Sequence, residues 1–396
     1  MTRERSTAWR VFLVFLRLGL TSFGGPIAHL GYFHAEFVNR RRWLDEHEYA
    51  DLVALCQFLP GPASSQVGLA LGLRQAGWRG AFAAWAGFTL PSALVLIVFA
   101  YGVSGIPGLA ASPVVHGLKL AAVAVVAQAV WGMARSLCPD RPRAALAIIA
   151  ALLVLAVPSA PGQVAAIVLG GVAGARLRDA GSSPTAAQPG GYPITRRQGL
   201  AALVLFVGLL LALPLWAAAA GSPVAAMISG VYRAGALVFG GGHVVLPLLQ
   251  DTVVPVGYVS NTDFLAGYGA AQAVPGPLFT FASYLGAVGQ GPLHGWVGGL
   301  LFLGVIFLPA FLLVIAAVPW WDAVRKHTTV RRAMAGINAS VVGILGAALY
   351  DPVWTSAIHS RLQFAVALAA FGLLVVARLS PLLVVALCAI TGVLLL

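Results

Sequence analysis

Phe23-Gly24-Gly25-Pro26 interrupts a long apolar segment near the start of the chain, and Phe239-Gly240-Gly241-Gly242 interrupts another in the second half. A second pair of interruptions follows each at nearly the same spacing: Pro60-Gly61-Pro62 and Pro275-Gly276-Pro277. Glycine frees the backbone and proline removes an N–H donor, so each motif is expected to break a helix. Because both motifs recur in register, the sequence predicts two repeats with paired helix breaks.

The composition is that of a membrane protein. The chain has 396 residues, of which 60% are hydrophobic and 9% are charged, and its mean hydropathy is +0.90. Soluble domains carry roughly 25% charged residues. The apolar stretches reach the ~20 residues that a membrane-spanning helix needs, and ten-residue apolar–polar alternation typical of a β-barrel is missing. We therefore predict an all-α polytopic membrane protein.

The repeat divides the chain into four parts. Residues 1–176 form an N-terminal repeat, 177–198 a polar cytoplasmic linker rich in Gly, Ser, Pro and Ala, 199–220 an extra apolar helix, and 221–396 a C-terminal repeat. Paired Gly/Pro interruptions in corresponding places of two halves are typical of transporters whose site lies where the interruptions meet.

The net charge of +12 comes from basic residues in loops, where they indicate topology rather than nucleic-acid binding. Basic residues flank the first motif segment on both sides, at Arg10 and at Arg40-Arg41-Arg42. Basic residues mark the cytoplasmic side, so both ends of this segment are predicted to be cytoplasmic. The segment is then a re-entrant hairpin, and the N-terminus is cytoplasmic. The corresponding loops of the second half lack Lys and Arg, so that half is predicted to be inverted, with the helix at 199–220 doing the inverting. The alternative to re-entrant hairpins is that each motif segment crosses the membrane once, as a broken helix.

Each break leaves a half-helix N-terminus at membrane depth, where N–H groups without partners and partial positive charge favour an anion. Polar residues follow the second break of each half, at Ser64-Ser65-Gln66 and at Thr280. Alternatively, the small residues at these breaks allow close packing of helices and bind nothing.

The charged residues inside the apolar segments are basic. Arg17 and Arg233 precede the two Phe-Gly-Gly motifs, and His29 and His243 flank them. Intramembrane charge is expensive and indicates function, although Arg17 can instead extend to the interface and either histidine can be a hydrogen-bonded core residue. Carboxylates lie only near segment ends, so an anionic cargo is favoured.

Three scattered cysteines predict neither disulfide nor metal cluster, and no catalytic or nucleotide-binding motif is present.

These motifs resemble the chromate ion transporter (CHR) family in its long, two-domain form. The resemblance rests on Phe23-Gly24-Gly25-Pro26 with His29, on Pro60-Gly61-Pro62, and on Phe239-Gly240-Gly241-Gly242-His243 with Pro275-Gly276-Pro277, and it covers nearly the whole chain. It implies a multi-pass protein of the bacterial inner membrane that is not an enzyme and needs no cofactor. It further implies efflux of chromate, a tetrahedral dianion, which confers chromate resistance.

Sulfate or another oxyanion as the substrate, and a passive anion channel, remain the alternatives, and a homodimer is as compatible with the resemblance as a monomer. No nucleic-acid partner is expected. The predicted substrate-binding residues share a place at or beside a break: Arg17, Phe23, Gly24, Gly25, His29, Pro60, Gly61, Pro62, Ser64, Ser65, Gln66, Arg233, Phe239, Gly240, Gly241, His243, Pro275, Gly276, Pro277 and Thr280.

Overall fold

The computed structural model describes residues 6–22, 25–105, 112–157, 160–176, 192–239, 244–321, 327–355 and 357–395. Within these ranges the chain forms sixteen α-helices and no β-strand. Five segments are long and apolar enough to cross a membrane: Ala63–Gly105, Pro113–Arg135, Arg196–Ala220, Gly295–Trp320 and Thr328–Asp351. The predicted all-α polytopic membrane class is confirmed.

Seven helices make up the first half of the described chain. They are α1 (Ala8–Thr21), α2 (Gly25–His34, continued by a π-helical turn Ala35–Arg40), α3 (Glu46–Phe58), α4 (Ala63–Gly105), α5 (Pro113–Leu137), α6 (Arg141–Ala156) and α7 (Ala160–Gly174).

Nine helices follow in the second half. They are α8 (Arg196–Ala220), α9 (Pro223–Ala236), α10 (Val245–Val253), α11 (Asn261–Ala273), α12 (Phe281–Val288), α13 (Gly295–Ala317), α14 (Thr328–Ala348), α15 (Arg361–Val375) and α16 (Pro381–Leu395). A 3₁₀ turn, Leu278–Thr280, leads into α12. Helices α9 to α16 correspond in order to α1 to α7, with α12 and α13 together matching α4.

The long helix α4 is in effect two helices. Its backbone leaves the helical region at Ala76 and Gly77, where Gly77 takes a φ of 61° and a ψ of −151°. Glycine tolerates this left-handed φ without a steric penalty. The chain therefore bends in the first half at the place where α12 and α13 separate in the second.

Helix breaks occur where the sequence predicts them. The chain leaves helix between α1 and α2, between α3 and α4, between α9 and α10, and between α11 and the 3₁₀ turn before α12. Leu59 and Val274, the C-cap residues of α3 and α11, have extended backbones, as residues before proline prefer. Whether each pair of helices re-enters or spans the membrane stays a prediction.

The two halves exchange helices. Helix α5 packs against α15 and α16, and its counterpart α14 packs in the same way against α6 and α7. The largest buried cluster accordingly combines Leu120 and Val126 of α5 with Phe281 and Phe302 of the second half. Because each half completes the core of the other, the two repeats form one interwoven body.

The extra helix α8 lies at the edge of the protein. It packs against α9 and α13, while Leu200, Val204, Leu211 and Leu215 remain exposed. Such an apolar exposed face suits contact with lipid. The helix covers the segment 199–220, and its role in inverting the second half stays a prediction. Most of the predicted linker, residues 177–191, lies outside the described residues.

Candidate functional site

Two hydrogen bonds connect the breaks of one repeat to those of the other. Gly61 donates its N–H to the carbonyl of Val238 (2.6 Å), and Gly276 donates its N–H to the carbonyl of Ser22 (3.0 Å). Val238 immediately precedes the Phe239 motif, and Ser22 immediately precedes the Phe23 motif. Each Pro-Gly-Pro break is thus bound to the Phe-Gly-Gly break of the opposite repeat. We call the region around these four residues the crossing.

Both donor glycines are conformationally constrained. The φ angles of Gly61 and Gly276 are 119° and 105°, which side-chain-bearing residues rarely adopt. The flanking prolines, Pro60 and Pro62 with Pro275 and Pro277, cannot donate a main-chain hydrogen bond. In each Pro-Gly-Pro motif the glycine therefore supplies the N–H that reaches across to the other repeat.

His29 is a buried residue of the first repeat that contacts two other segments at the crossing. It is 1% exposed, its Nε2 lies 3.2 Å from the Ser22 carbonyl oxygen, and its Nδ1 lies 3.4 Å from Ser64 Oγ. A carbonyl oxygen only accepts, so we assign the ring hydrogen to Nε2, and in the neutral ring Nδ1 accepts from the hydroxyl. His29 thereby joins α2, the first break and the start of α4.

Two helix N-termini contribute to the crossing. Helix α4 begins directly after Pro62, and its first-turn residues Ser64 and Ser65 are buried. In the second repeat the 3₁₀ turn and α12 begin after Pro277, and Thr280 donates its hydroxyl to the Pro277 carbonyl (2.7 Å). N–H groups of a first helical turn lack partners within the helix and carry partial positive charge.

Several buried polar atoms beside the breaks have no hydrogen-bond partner: Ser22 Oγ, Ser65 Oγ, Gln66 Oε1, Thr89 Oγ1 and Gln272 Nε2. An unsatisfied buried polar group costs about 1–3 kcal/mol, so such groups are rare and call for water, an ion or a ligand. Their concentration beside the breaks identifies the crossing as the candidate site.

A small cavity opens at the crossing. Its volume is ≈ 50 Å³, and Gly25, Gln272 and Gly276 line it together with Gln128 of α5 and Pro381 of α16. A cavity of ~10–15 Å³ already holds one water, so this cavity has room for a small hydrated group or ion. Its wall combines a break from each repeat with two side-chain amides.

The remaining predicted residues have different surroundings, and some of them lie outside the described part of the chain. Phe239 is partly buried against the main core, and Gln66 donates its Nε2 hydrogen to the Pro60 carbonyl (2.8 Å). Arg17 is exposed on α1, whereas Arg233 is partly buried and interacts electrostatically with Asp251. A direct ligand role of either arginine stays a prediction. Five predicted residues lie outside the described ones: Phe23, Gly24, Gly240, Gly241 and His243.

The structure adds residues that the motifs did not identify. Ser22 accepts the cross-repeat bond, and Thr89 and Ser92 come from the middle of α4. Ser92 Oγ would lie 3.0 Å from a Cβ built on Gly276. Hydroxyl residues on either side of Pro91, inside an otherwise apolar helix, were the available sequence signal. Gln128 carries no such signal, because it stands alone in α5.

Comparison with known proteins gives the family. The sequence model of the family described as "Chromate transporter" matches residues 9–175 and, a second time, residues 225–393. This chain belongs to the chromate transporter family. The two matches fall on the two halves whose breaks meet at the crossing.

The chain is similar along most of its length to bacterial proteins named for chromate transport. A "chromate transport protein" of Pseudomonas aeruginosa is 28% identical over 359 residues, which are 86% of this chain and 80% of that protein. A second, from Cupriavidus metallidurans, is 26% identical over 353 residues, covering 88% and 83% of the two chains. A "probable chromate transport protein" of Synechococcus elongatus is 26% identical over 341 residues, covering 85% and 82%. No solved structure matches this chain.

Proposed function

We propose that this chain transports chromate, or a closely similar tetrahedral dianion, across the membrane and that the crossing is its binding site. Family membership and the names of the relatives support chromate as the substrate. The observation that carries the location is the pair of cross-repeat hydrogen bonds from Gly61 and Gly276, surrounded by buried polar atoms without partners.

The chemistry of the crossing suits an oxyanion. Helix N-termini bind anions through N–H groups and partial positive charge. The side-chain amide of Gln272 and the hydroxyls of Ser65 and Thr89 add donors whose positions are fixed by the packed helices. Each oxygen of a tetrahedral dianion can accept more than one hydrogen bond, so a site of neutral donors compensates charge without a buried cation.

The direction that we propose is export. The cytoplasm of a respiring bacterium is electrically negative, and moving charge along the membrane potential yields ~2.3 kcal/mol per elementary charge per 100 mV. A dianion gains twice that amount on leaving the cell. Export through the inner membrane, with the N-terminus cytoplasmic, would lower cytoplasmic chromate and confer resistance.

Alternating access by rocking of two inverted repeats would expose the crossing to each side in turn. The bonds from Gly61 to Val238 and from Gly276 to Ser22 join the two repeats at that point. Rocking would have to lengthen at least one of them, so we place the moving interface there.

Sulfate is the second candidate substrate, because it shares the tetrahedral shape and double negative charge that the donors recognise. The test is flux into proteoliposomes of the purified protein under an imposed potential, with chromate, sulfate, phosphate and nitrate as competitors. Saturable chromate flux that follows the potential, and that planar nitrate does not inhibit, is expected. Robust sulfate flux without chromate flux would overturn the proposal that chromate is the substrate. Flux that does not saturate with substrate concentration would indicate a channel.

A pair of serine variants tests the location. Ser65 Oγ lacks a partner, whereas Ser283, which is also buried, donates its hydroxyl to the Thr280 carbonyl (2.6 Å). Ser65→Ala should lower the affinity for chromate while leaving the anion-free protein at least as stable as before. Ser283→Ala should lower stability and leave the affinity unchanged. The opposite pattern would move the binding site away from the crossing.

A further inference from the structure

A second cavity, of ≈ 220 Å³, shares no lining residue with the cavity at the crossing and lies beside the ends of α6 and α10 and the last turn of α14. Four polar residues line it: Gln163, Gln250, Asp251 and Asp351. The rest of its wall is apolar. The carboxylates of Asp251 and Asp351 have no role in the proposed binding of an anion at the crossing.

A buried amide oxygen in this cavity lacks a donor. Gln163 is 3% exposed, and its Nε2 donates to Asp251 Oδ2 (2.6 Å). The other end of the same amide, Oε1, is buried without a hydrogen-bond partner. A carbonyl-type oxygen can only accept a hydrogen bond or coordinate a cation. Gln163 therefore holds the carboxylate with one end and leaves an oxygen ligand open at the other.

The helix ends around the cavity have the sign that attracts a cation. Lining residues come from the last turns of α6 (ending at Ala156) and α10 (ending at Val253). Others come from α14, which continues directly into the π-helical turn Leu349–Trp354. The last carbonyls of a helix lack partners within it and carry partial negative charge. One opposing helix end, the N-terminus of α7, contributes Gln163 to the wall.

The formal charges agree with the helix ends. Asp251 and Asp351 both line the cavity, and Arg233 is the guanidinium that acts electrostatically on Asp251. Among the described residues that line the cavity or act on Asp251, two carboxylates face one guanidinium, which leaves one negative charge to be compensated.

The first repeat shows how the same position is otherwise neutralised. Glu36 corresponds to Asp251 in the repeat, and it is held by Arg41 Nε (2.6 Å) and Arg40 Nη1 (3.1 Å). The residues of the second repeat at the positions of these arginines are Pro255 and Val256. The first repeat thus has built-in cationic partners, whereas the second has a cavity.

We propose that this cavity is a binding site for a hard monovalent cation, Na⁺, held by Asp251, Gln163 Oε1 and Asp351. Carboxylate and amide oxygens are the ligands that hard cations prefer. A transition metal is disfavoured, because the described residues contain no group of three His, Cys, Asp or Glu side chains that could hold one. A single uncompensated charge favours Na⁺ over Ca²⁺.

Thermal unfolding of the purified, anion-free protein tests this site. Na⁺ is titrated against choline at constant ionic strength, with Ca²⁺ in a separate series. A ligand that binds only the folded state raises the melting temperature, and above its dissociation constant the rise grows with the logarithm of the ligand concentration. We expect such a rise with Na⁺ and none with choline. Equal effects of Na⁺ and choline would overturn the proposal, as would a response to Ca²⁺ at lower concentration than to Na⁺.

Three variants assign the response to the cavity. Asp251→Asn should weaken the apparent Na⁺ affinity at least tenfold, and Asp351→Asn, at an exposed position whose change leaves packing intact, should weaken it by a smaller factor. Glu36→Gln removes the corresponding carboxylate of the first repeat and should leave the affinity unchanged. Wild-type affinity in both aspartate variants would refute the site. Since no chromate is present, failure here would leave the transport proposal standing.

Discussion

Replacing Gly276 by alanine tests whether the crossing depends on the backbone of this residue. The alanine keeps the N–H that donates to the Ser22 carbonyl, so the hydrogen bond itself is not removed. What changes is the backbone energy at a φ of 105° and the space available for a Cβ.

The cost has two parts. A side-chain-bearing residue held at such a φ is strained by about 1–3 kcal/mol. The new Cβ would lie 3.0 Å from Ser92 Oγ and 3.2 Å from the Phe88 carbonyl oxygen. Ser92 Oγ donates to the Thr89 carbonyl (3.1 Å), and displacing it gives up a hydrogen bond of about 1 kcal/mol. The sum is about 2–4 kcal/mol.

The assay is thermal unfolding in detergent, followed by intrinsic fluorescence, with chromate flux measured in parallel. Gly304→Ala is the control, because Gly304 is an exposed glycine inside α13 with nothing within 4 Å of a built Cβ. That variant should gain about 0.5–1 kcal/mol from reduced backbone entropy. Gly276→Ala should melt several degrees below wild type and Gly304→Ala at or above it. Equal melting of the two variants would refute the constrained crossing.

Three further substitutions address individual side chains. His29→Leu loses both hydrogen bonds of the buried ring and should lower stability by about 1–3 kcal/mol together with chromate flux; unchanged flux would remove the histidine from the crossing. Arg17→Gln, at an exposed position, should change flux less than about twofold. Arg233→Gln removes a partly buried charge that acts on Asp251 and should change flux by a larger factor; equal effects would contradict this ranking. Glu48→Gln breaks a pair with Arg74 at 2.6 Å whose side chains are each 17% exposed, so unfolding free energy should fall by about 1 kcal/mol, less at high salt; a salt-independent loss would argue against the ion pair.

Local chemistry made the positions of the helix breaks predictable. Pro60 and Pro62 cannot donate hydrogen bonds, Gly61 between them tolerates a positive φ, and the same holds for the motif around Gly276. These properties belong to the residues themselves and need no tertiary information. The sequence therefore places these two breaks within a few residues.

The pairing of the breaks could not be derived in the same way. The hydrogen bonds from Gly61 to Val238 and from Gly276 to Ser22 join residues far apart in the chain. They lie where α4 of the first repeat packs on α12 and α13 of the second, and no local preference encodes that packing. Paired motifs predict that breaks meet, but not that they meet crosswise.

The face on which a charged residue lies was also beyond the sequence. Arg17 and Arg233 occupy the same place in the two repeats, yet Arg17 is exposed and Arg233 interacts with Asp251. In a soluble helix the apolar stripe would distinguish the buried face from the exposed one. In lipid both faces are apolar, so periodicity carries little information about which of them an arginine occupies.

The two repeats therefore share a backbone plan but differ in how they compensate charge. At the position of Glu36 the first repeat uses its own arginines, and at Asp251 the second leaves a cavity beside an amide oxygen without a partner. A strictly symmetric carrier would be indifferent to the side from which its substrate comes. Because the halves differ in charge at corresponding ends, the inward-facing and outward-facing states of this protein should differ in energy and in population. The direction of net transport is still set by the electrochemical gradient of the substrate.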